Sequence, residues 1–468
     1  MGSLFASLQT ASTALDVFSR ALGTDQANVA NASTPGYAAQ NATIQPIDLS
    51  GDGANVSDFI SITSNANAFA DATVQAASSQ ASSSQTAVQQ LTSVNQLFDI
   101  TGTSGILAAL QQFSSAFSSL SVTPNDSTLQ ANALTAAGSV ASAFQSVAAS
   151  LDTQQNQIDS NIQSTTSQIN GLAAAIQQLN VQATSGTGSN SSNDASLRSD
   201  LDQLSSLVDI TVIKNNDGSV SVLAGGQLPL VEDSQAYTIS ANPAAAPGSQ
   251  ISSSAGGNSP NTFSGQLGAL LETRNTTIGG LLGSGGNPGT LNSLAAGFAS
   301  RVNSLLSSGV TASGAAGVPI FSFDTSDPTD AARTLTLNTS VTPDQLALGT
   351  TGTSAQSNGI ANELAALPSS TAAADEIGGS SPEGLFGSIA ASVGQQLSDA
   401  QTASTNDQST LTAAQTNRQQ QSGVSLNQEA ANITTYQRDY GANAQVVSIL
   451  SQLTDDAVNM ISGTSGTL

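Results

Sequence analysis

Cysteine, histidine and tryptophan are absent from the sequence, and lysine occurs once, at Lys214. Without thiolate or imidazole the chain has no ligands for an ordinary zinc site, no cysteine nucleophile and no His-based triad. Most enzyme classes fall away on that ground, and no cofactor-binding set is expected. Basic residues are also scarce, with Lys+Arg 8 against Asp+Glu 32 and a net charge of −24. Nucleic acids and anionic membrane surfaces are bound by clustered Lys and Arg, so neither fits as a partner. No run of about 18 apolar residues exists to cross a bilayer, and no membrane insertion is expected. The N-terminus has no basic region followed by a continuous apolar stretch, which argues against a cleaved secretory signal. Ala6 stands where a myristoylation motif wants Ser or Thr.

Aromatic residues make up only 4% of the chain and charged residues 9%, against roughly 25% charged in ordinary globular proteins. Hydrophobic residues reach 38%, but many are alanine. Thin, elongated helix packing, with alanine letting helices approach closely, suits that composition better than one thick core. The 468 residues are enough for about two to four domains.

The N-terminal segment carries apolar residues at Leu4, Leu8, Ala11, Leu15, Phe18, Leu22 and Val29, a heptad seam broken once by Asp25. This seam by itself does not offset the backbone entropy of ordering the segment, so the helix is expected to need a packing partner. It ends in Ala27-Asn-Val-Ala-Asn-Ala-Ser-Thr-Pro-Gly-Tyr37. Pro35-Gly36 suits the centre of a type II turn, with Gly36 at positive φ, so the helix should stop near Asn31 or Ala32. Beyond Tyr37, Ile44, Ile47 and Leu49 with Gly51-Asp52-Gly53 read as a loop or short strand, and residues 59–62 as a further strand.

Residues 65–117 read as helices interrupted near 101–105, with a new helix starting at Pro124-Asn125-Asp126. Leu151, Gln155, Ile158, Ile162, Thr165, Ile169, Leu172, Ile176 and Leu179 keep four-three spacing and predict a long helix with one stripe buried against neighbouring helices. Residues 185–193 read as a flexible loop, followed by another helix to Val208. At Ile210 the period changes to two, and Asp217-Gly218 marks a β-hairpin turn. Strands at 228–231 and 237–240 are expected to extend that sheet, with a Pro/Gly/Ser loop over 241–262. Residues 279–289 read as a flexible glycine linker, since no Gly-Lys-Ser/Thr follows to make a phosphate loop. Helices are expected over 291–306, 358–367 and 385–420, and short strands at 320–323 and 334–337. A last amphipathic helix carries Leu426, Ile433, Tyr436, Tyr440, Val447, Leu450, Leu453 and Ile461.

Two carboxylate arrangements raise the question of hydrolysis or metal binding. Asp324, Asp327 and Asp330 lie three apart, unlike the alternate spacing of an EF-hand, and read as turn formers. Asp455 and Asp456 are adjacent on a helix, where side chains diverge by about 100°, so they do not converge on one substrate. An adhesin with the acidic middle as its binding module is a further alternative.

The block at 27–37 resembles the signature of bacterial flagellar axial proteins: rod, hook and hook-associated proteins. Ser422-Gly-Val-Ser-Leu-Asn-Gln-Glu-Ala-Ala-Asn-Ile433, followed by Tyr436-Gln-Arg-Asp-Tyr440, resembles the hook-associated protein 1 family, the first hook–filament junction protein. The blocks at 197–212, 265–271 and 294–303 are similar to that family as well. The chain departs from it at Ala38-Ala39, at Asn427 and at Gly441. The resemblance implies a non-enzymatic structural subunit, exported through the flagellar type III channel without a cleaved signal and located extracellularly at the hook–filament junction. It implies a homo-oligomeric ring, with hook protein, the second junction protein (hook-associated protein 3) and a cytosolic export chaperone at the C-terminal helix as partners. The runner-up is a hook or distal rod protein.

The expected fold is α+β and mainly α: a long helical-bundle domain formed by both ends of the chain, with an inserted β-rich domain. Boundaries are expected at 1–50 and 425–468 for the inner terminal helices, 51–207 and 349–424 for the helical bundle, and 208–348 for the β-rich part. Assembly is expected to run through Leu4, Leu8, Leu15, Phe18, Leu22, Val29, Ile433, Tyr436, Tyr440, Val447, Leu450 and Leu453, with Asn28, Asn31, Pro35, Gly36 and Tyr37 setting the turn.

Overall fold

The structure, a computed structural model, describes residues 2–45, 59–185, 191–256, 262–350 and 357–463. Ile47, Leu49 and the glycines at 51 and 53 fall outside them, as do residues 186–190 of the Ser/Gly stretch. Helix α1 (Gly2–Asn31) stops where the sequence places its stop. The Tyr37 amide donates to the Thr34 carbonyl at 3.1 Å across Pro35-Gly36, and Gly36 takes φ 74°. The chain then enters an antiparallel ribbon of β1 (Gln40–Ile44) and β2 (Ile60–Ser64), with Ile44 opposite Ile60.

Four helices follow: α2 (Ala68–Asn95), α3 (Gly105–Val122), α4 (Ser127–Thr184) and α5 (Ser191–Leu207). Side-chain capping sets two of the starts, since Asn67 accepts from the amides of Phe69 and Ala70, and Asp126 from those of Thr128 and Leu129. Leu151, Ile158, Ile162, Ile169 and Ile176 of the 58-residue α4 are fully buried. An 18-residue window of α4 is apolar enough to cross a membrane by length and composition, but half of it is buried inside the protein.

The four-three stripe of α4 was expected to face helices alone; its distal half also carries strands. Asn180, 1% exposed, donates to the carbonyls of Val220 and Asp233 and accepts from the Val220 amide. Asn170 does the same for Ile239, with 2.8 Å bonds in both directions. Each amide mimics a neighbouring strand and satisfies backbone groups that burial would otherwise leave unpaired.

The sheet runs in the order β3 (Ile210–Lys214), β4 (Val220–Ala224), β5 (Leu228–Glu232) and β6 (Gln235–Ala236). Of residues 237–240 only Tyr237 reaches it, its amide donating to the Leu230 carbonyl at 2.8 Å; the expected strand does not continue on the sheet. β7 (Ile239–Ala241) instead pairs with β8 (Ile251–Ser253), inside the stretch expected to be loop. The Asn170 clamp on Ile239 supplies the reason, because it fixes β7 on α4 rather than on the sheet edge.

Next come α6 (Gly265–Glu272), a π-helical turn (Thr273–Ile278), α7 (Gly279–Leu282) and α8 (Gly289–Ser308). Residues 279–289 are therefore no linker. Gly283 and Gly289 hold φ of 90° and 73° in a tight connection, and a Cβ on Gly283 would lie 2.0 Å from the Asn287 carbonyl oxygen. Glycine is there for close backbone approach, not for looseness. Short elements complete the middle: β9 (Gly309–Val310), β10 (Phe321–Ser322), α9 (Ala331–Thr334), β11 (Thr336–Leu337) and β12 (Gly349–Thr350). The chain returns through α10 (Gly359–Ala366), α11 (Pro382–Ser422) and α12 (Leu426–Gly463). α11 lies along α2, and α12 along α1.

The main core joins these layers through aromatic contacts. Phe113 packs on Phe117 with tilted rings, 4.5 Å between centroids, and meets Phe298 edge-on at 5.2 Å. All three are fully buried. Phe298→Ala is expected to destabilise the helical body by about 3–5 kcal/mol in denaturant titration, because the α3/α8 contact cannot collapse around the cavity.

Candidate assembly interface at the joint of the terminal helices

Helices α1 and α12 pack antiparallel, since Asn28 reaches Glu429 while Phe18 meets Tyr436 at 6.3 Å between ring centroids. Of the seam expected on α1, Leu4, Leu8, Leu15, Phe18 and Leu22 are half-buried, and Val29 is 41% exposed. The fully buried positions are Val17, Ala21 and Asn28, displaced by one residue from Phe18, Leu22 and Val29, while Asp25 of the expected seam is also buried at 3% exposure. One residue is about 100° of helix rotation. α1 is covered on two sides, by α12 and by the ribbon that contributes Phe59 and Ile60, so its buried centre lies between them. On α12, Ile433, Tyr436, Val447 and Leu450 are half-buried, whereas Tyr440 and Leu453 are 42% and 48% exposed. Val446, Ile449 and Met460 are exposed as well. The side chain of Ile461 lies outside the described residues.

The joint itself is polar. Asn28, fully buried, donates to the Gln40 carbonyl (2.8 Å) and to Glu429 Oε2 (3.1 Å). Its Oδ1 accepts from the Gln40 amide and the Tyr37 hydroxyl, both at 2.9 Å. An asparagine side chain has two donors and two acceptor positions, and all are used here. One amide thus ties α1, the turn, β1 and α12. Burial pushes the Tyr37 hydroxyl above its ordinary pKa, and the charge of Glu429 adds to that, so it stays protonated and donating. Asn31 has a local role: its amide donates to the Ala27 carbonyl at 2.9 Å, and its Oδ1 accepts from the Thr34 hydroxyl.

Pro35 is exposed, and Gly36 packs against α5. A Cβ on Gly36 would come within 2.3 Å of the Ala195 carbonyl oxygen. Arg198 of α5 donates to the Gly36 carbonyl at 2.6 Å. The same guanidinium faces Asp71 of α2 at 3.6 Å; Asp71 also faces Arg418 of α11, which pairs with Asp202 at 2.8 Å. Burial raises the Asp202 carboxyl above its ordinary value, and Arg418 opposes that shift. The turn is thereby fastened to a partly buried ion network spanning α2, α5 and α11. The unusual Ala38-Ala39 pair is 3% and 5% exposed, and the Ala39 amide donates to the Ser422 carbonyl at the end of α11. Small side chains fit that closed position.

Sequence reasoning missed Glu429 as a partner of Asn28, and missed Asp71, Arg198, Asp202 and Arg418. A signal existed: of eight basic residues, five arginines (198, 274, 301, 333 and 418) form ion pairs. The three aspartates at 324, 327 and 330 have local partners. Asp324 accepts from the Ser326 amide, Asp327 from the Thr329 amide, and Asp330 pairs with Arg333. Asp455 and Asp456 are both exposed.

Residues 91–321 match the family model described as the flagellar hook-associated protein FlgK helical domain. Flagellar hook-associated protein 1 of Bacillus subtilis (strain 168) is 26% identical over 520 aligned residues, covering 98% of this chain and 99% of the relative. The solved structure of the flagellar hook junction protein FlgK from Burkholderia pseudomallei superimposes with a TM-score of 0.63 at 15% identity. That match covers 74% of this chain and 99% of the other, and shows the shared fold. The mainly helical fold with joined ends and these likenesses support a flagellar hook-associated protein, a structural family. The family-model match, the relative and the shared fold together support the FlgK family for this chain.

Two substitutions test the joint. Asn28→Ala leaves the Tyr37 hydroxyl and the Gln40 backbone without partners, at about 1–3 kcal/mol for each buried group. Faster amide exchange in residues 22–45 and 426–436, with the helical body unchanged, is the expected result. Gly36→Val puts a branched side chain at positive φ against α5, and limited proteolysis should then cut within residues 32–40 faster than in the parent chain.

Proposed function

We propose that this chain is the junction subunit between the hook and the filament of a bacterial flagellum and assembles through its two terminal helices. The observation that carries this reading is on α12: one face packs on α1, while Val446, Ile449, Leu453 and Met460 stay exposed on another. Exposed apolar residues at helical spacing mark a surface that a protein neighbour covers. Likeness to Flagellar hook-associated protein 1 and to a flagellar hook junction protein supports the place of assembly.

On this reading the paired ends, residues 1–50 with 425–468, form the inner part of a homo-oligomeric ring. Residues 51–207 and 349–424 make the helical layer around it, and 208–348 face outward. Leu4, Leu8, Leu15, Phe18, Leu22, Ile433, Tyr436, Val447 and Leu450 hold the pair within a subunit; Val29, Tyr440 and Leu453 reach its neighbours. The ring meets hook protein on one side and hook-associated protein 3 on the other. Export precedes assembly: the chain threads the type III channel unfolded, without a cleaved signal, after a cytosolic chaperone has held its C-terminal helix. Absence of cysteine supports threading, because no disulfide can form before export.

Deletion of residues 1–40 or of 425–468 in a flagellated host that depends on this chain tests the reading by electron microscopy. Complete hooks without filaments are expected from either truncation. Filament-bearing hooks would refute assembly through the terminal helices, and loss of the hooks themselves would favour a hook or rod role.

A further inference from the structure

Asp25 interrupts the apolar seam of α1 and is 3% exposed, and Glu429, 6% exposed, faces it from the first turn of α12. Asp25 Oδ2 is buried with no hydrogen-bond donor, and the Glu429 carboxyl is close enough to raise the Asp25 carboxyl. Two ionised carboxylates have no hydrogen to share. The contact is complete only when one of them carries a proton. The surroundings offer no compensating charge: among the described residues the ion pairs involve other carboxylates, and none includes Asp25 or Glu429. From α12, Tyr436 also faces Asp25, with Asp439 beyond it. From the turn, Tyr37 lies in the field of Glu429, and from the ribbon Gln40 contributes only amide groups to Asn28.

We propose that Asp25 and Glu429 form a proton-sharing carboxyl pair that makes the pairing of the two terminal helices sensitive to pH. With one proton between them, the pair ties α1 to α12 beside Asn28. When that proton is lost, two like charges stand in contact in a buried place, and the first turn of α12 is pushed away from α1. A metal ion does not fit as the tie. Asn28 aims one amide hydrogen at Glu429 and the other at the Gln40 carbonyl, and its carbonyl oxygen is already taken by Tyr37 and Gln40. Hard cations ask for about six to eight oxygen ligands.

Burial first, then the charge and hydrogen bond of Glu429, raise Asp25 from 3.8 to about 6. A carboxyl raised on folding holds its proton more tightly in the paired state. The tie is therefore at full strength below pH 3.8 and is lost as pH rises through about 6. The device is independent of what the chain assembles with, so it stands or falls separately from the junction reading.

Hydrogen exchange of the full chain, corrected for intrinsic rates, tests it at pH 5 and pH 7.5. Protection in residues 22–31 and 426–436 is expected to fall about tenfold between those pH values, as a two-unit displacement implies. The core helix α4 should not change. In Asp25→Asn, which keeps the shape and supplies a donor, protection should be flat across that range. Infrared spectroscopy should show a protonated-carboxyl band with a midpoint near pH 6 that Asp25→Asn lacks. This difference separates Asp25 from Asp200, Asp202 and Glu383, whose carboxyls burial also raises. If Asp25→Asn fails to pair at all, Glu429→Gln replaces it with the same flat profile expected. No protection at any pH, an unchanged wild-type profile, variants that keep the slope, or restoration of pairing at pH 7.5 by added calcium would each overturn the proposal.

Discussion

The arrangement of the whole chain depends on one buried amide. Asn28 spends its two donors and two acceptor positions on four groups of three residues, so the end of α1, the Pro-Gly turn, the first strand and the start of α12 cannot move independently. A buried polar group of this kind is costly when unsatisfied and specific when satisfied, because an apolar replacement fills the space without fixing the register. Apolar contact between α1 and α12 is comparatively generous. Large side chains on both helices stay half-buried, and the fully buried positions are Val17 and Ala21, which let the backbones approach.

The second constraint is how that joint is held to the body. Gly36 lies against α5 with no room for a Cβ, and Arg198 donates to its carbonyl while facing Asp71. Arg418, bound to Asp71 and Asp202, brings in α11, the helix that leads into the second half of the joint. With 9% charged residues in the whole chain, concentrating two arginines and two aspartates at one crossing is a strong local commitment. Being partly buried, this network is less screened by salt than surface pairs. It transmits the position of three body helices to the terminal pair.

Particular residues show where reading the sequence failed. Gly283 and Gly289 read as looseness but close a tight turn between α7 and α8, since composition does not distinguish glycine used for freedom from glycine used for close approach. Residues 237–240 read as another sheet strand, but from Ile239 the chain follows Asn170 onto α4, because a single side-chain amide on a helix leaves no periodic trace. The seam on α1 carried the right spacing, and its most buried line lies one residue away because the ribbon covers α1 from a second side.

By itself the sequence determined the helix stop at Asn31, the Pro35-Gly36 turn, the long period of α4, the hairpin at 210–224 and the exclusion of thiol and imidazole chemistry. Each follows from spacing, turn chemistry or composition, which act over a few residues. Only the tertiary structure decided which partner Asn28 finds 401 residues away, how Asp25 comes to face Glu429, and which arginine holds the turn. Those outcomes depend on the approach of distant backbones, and the polar groups involved have no periodicity that a sequence could display.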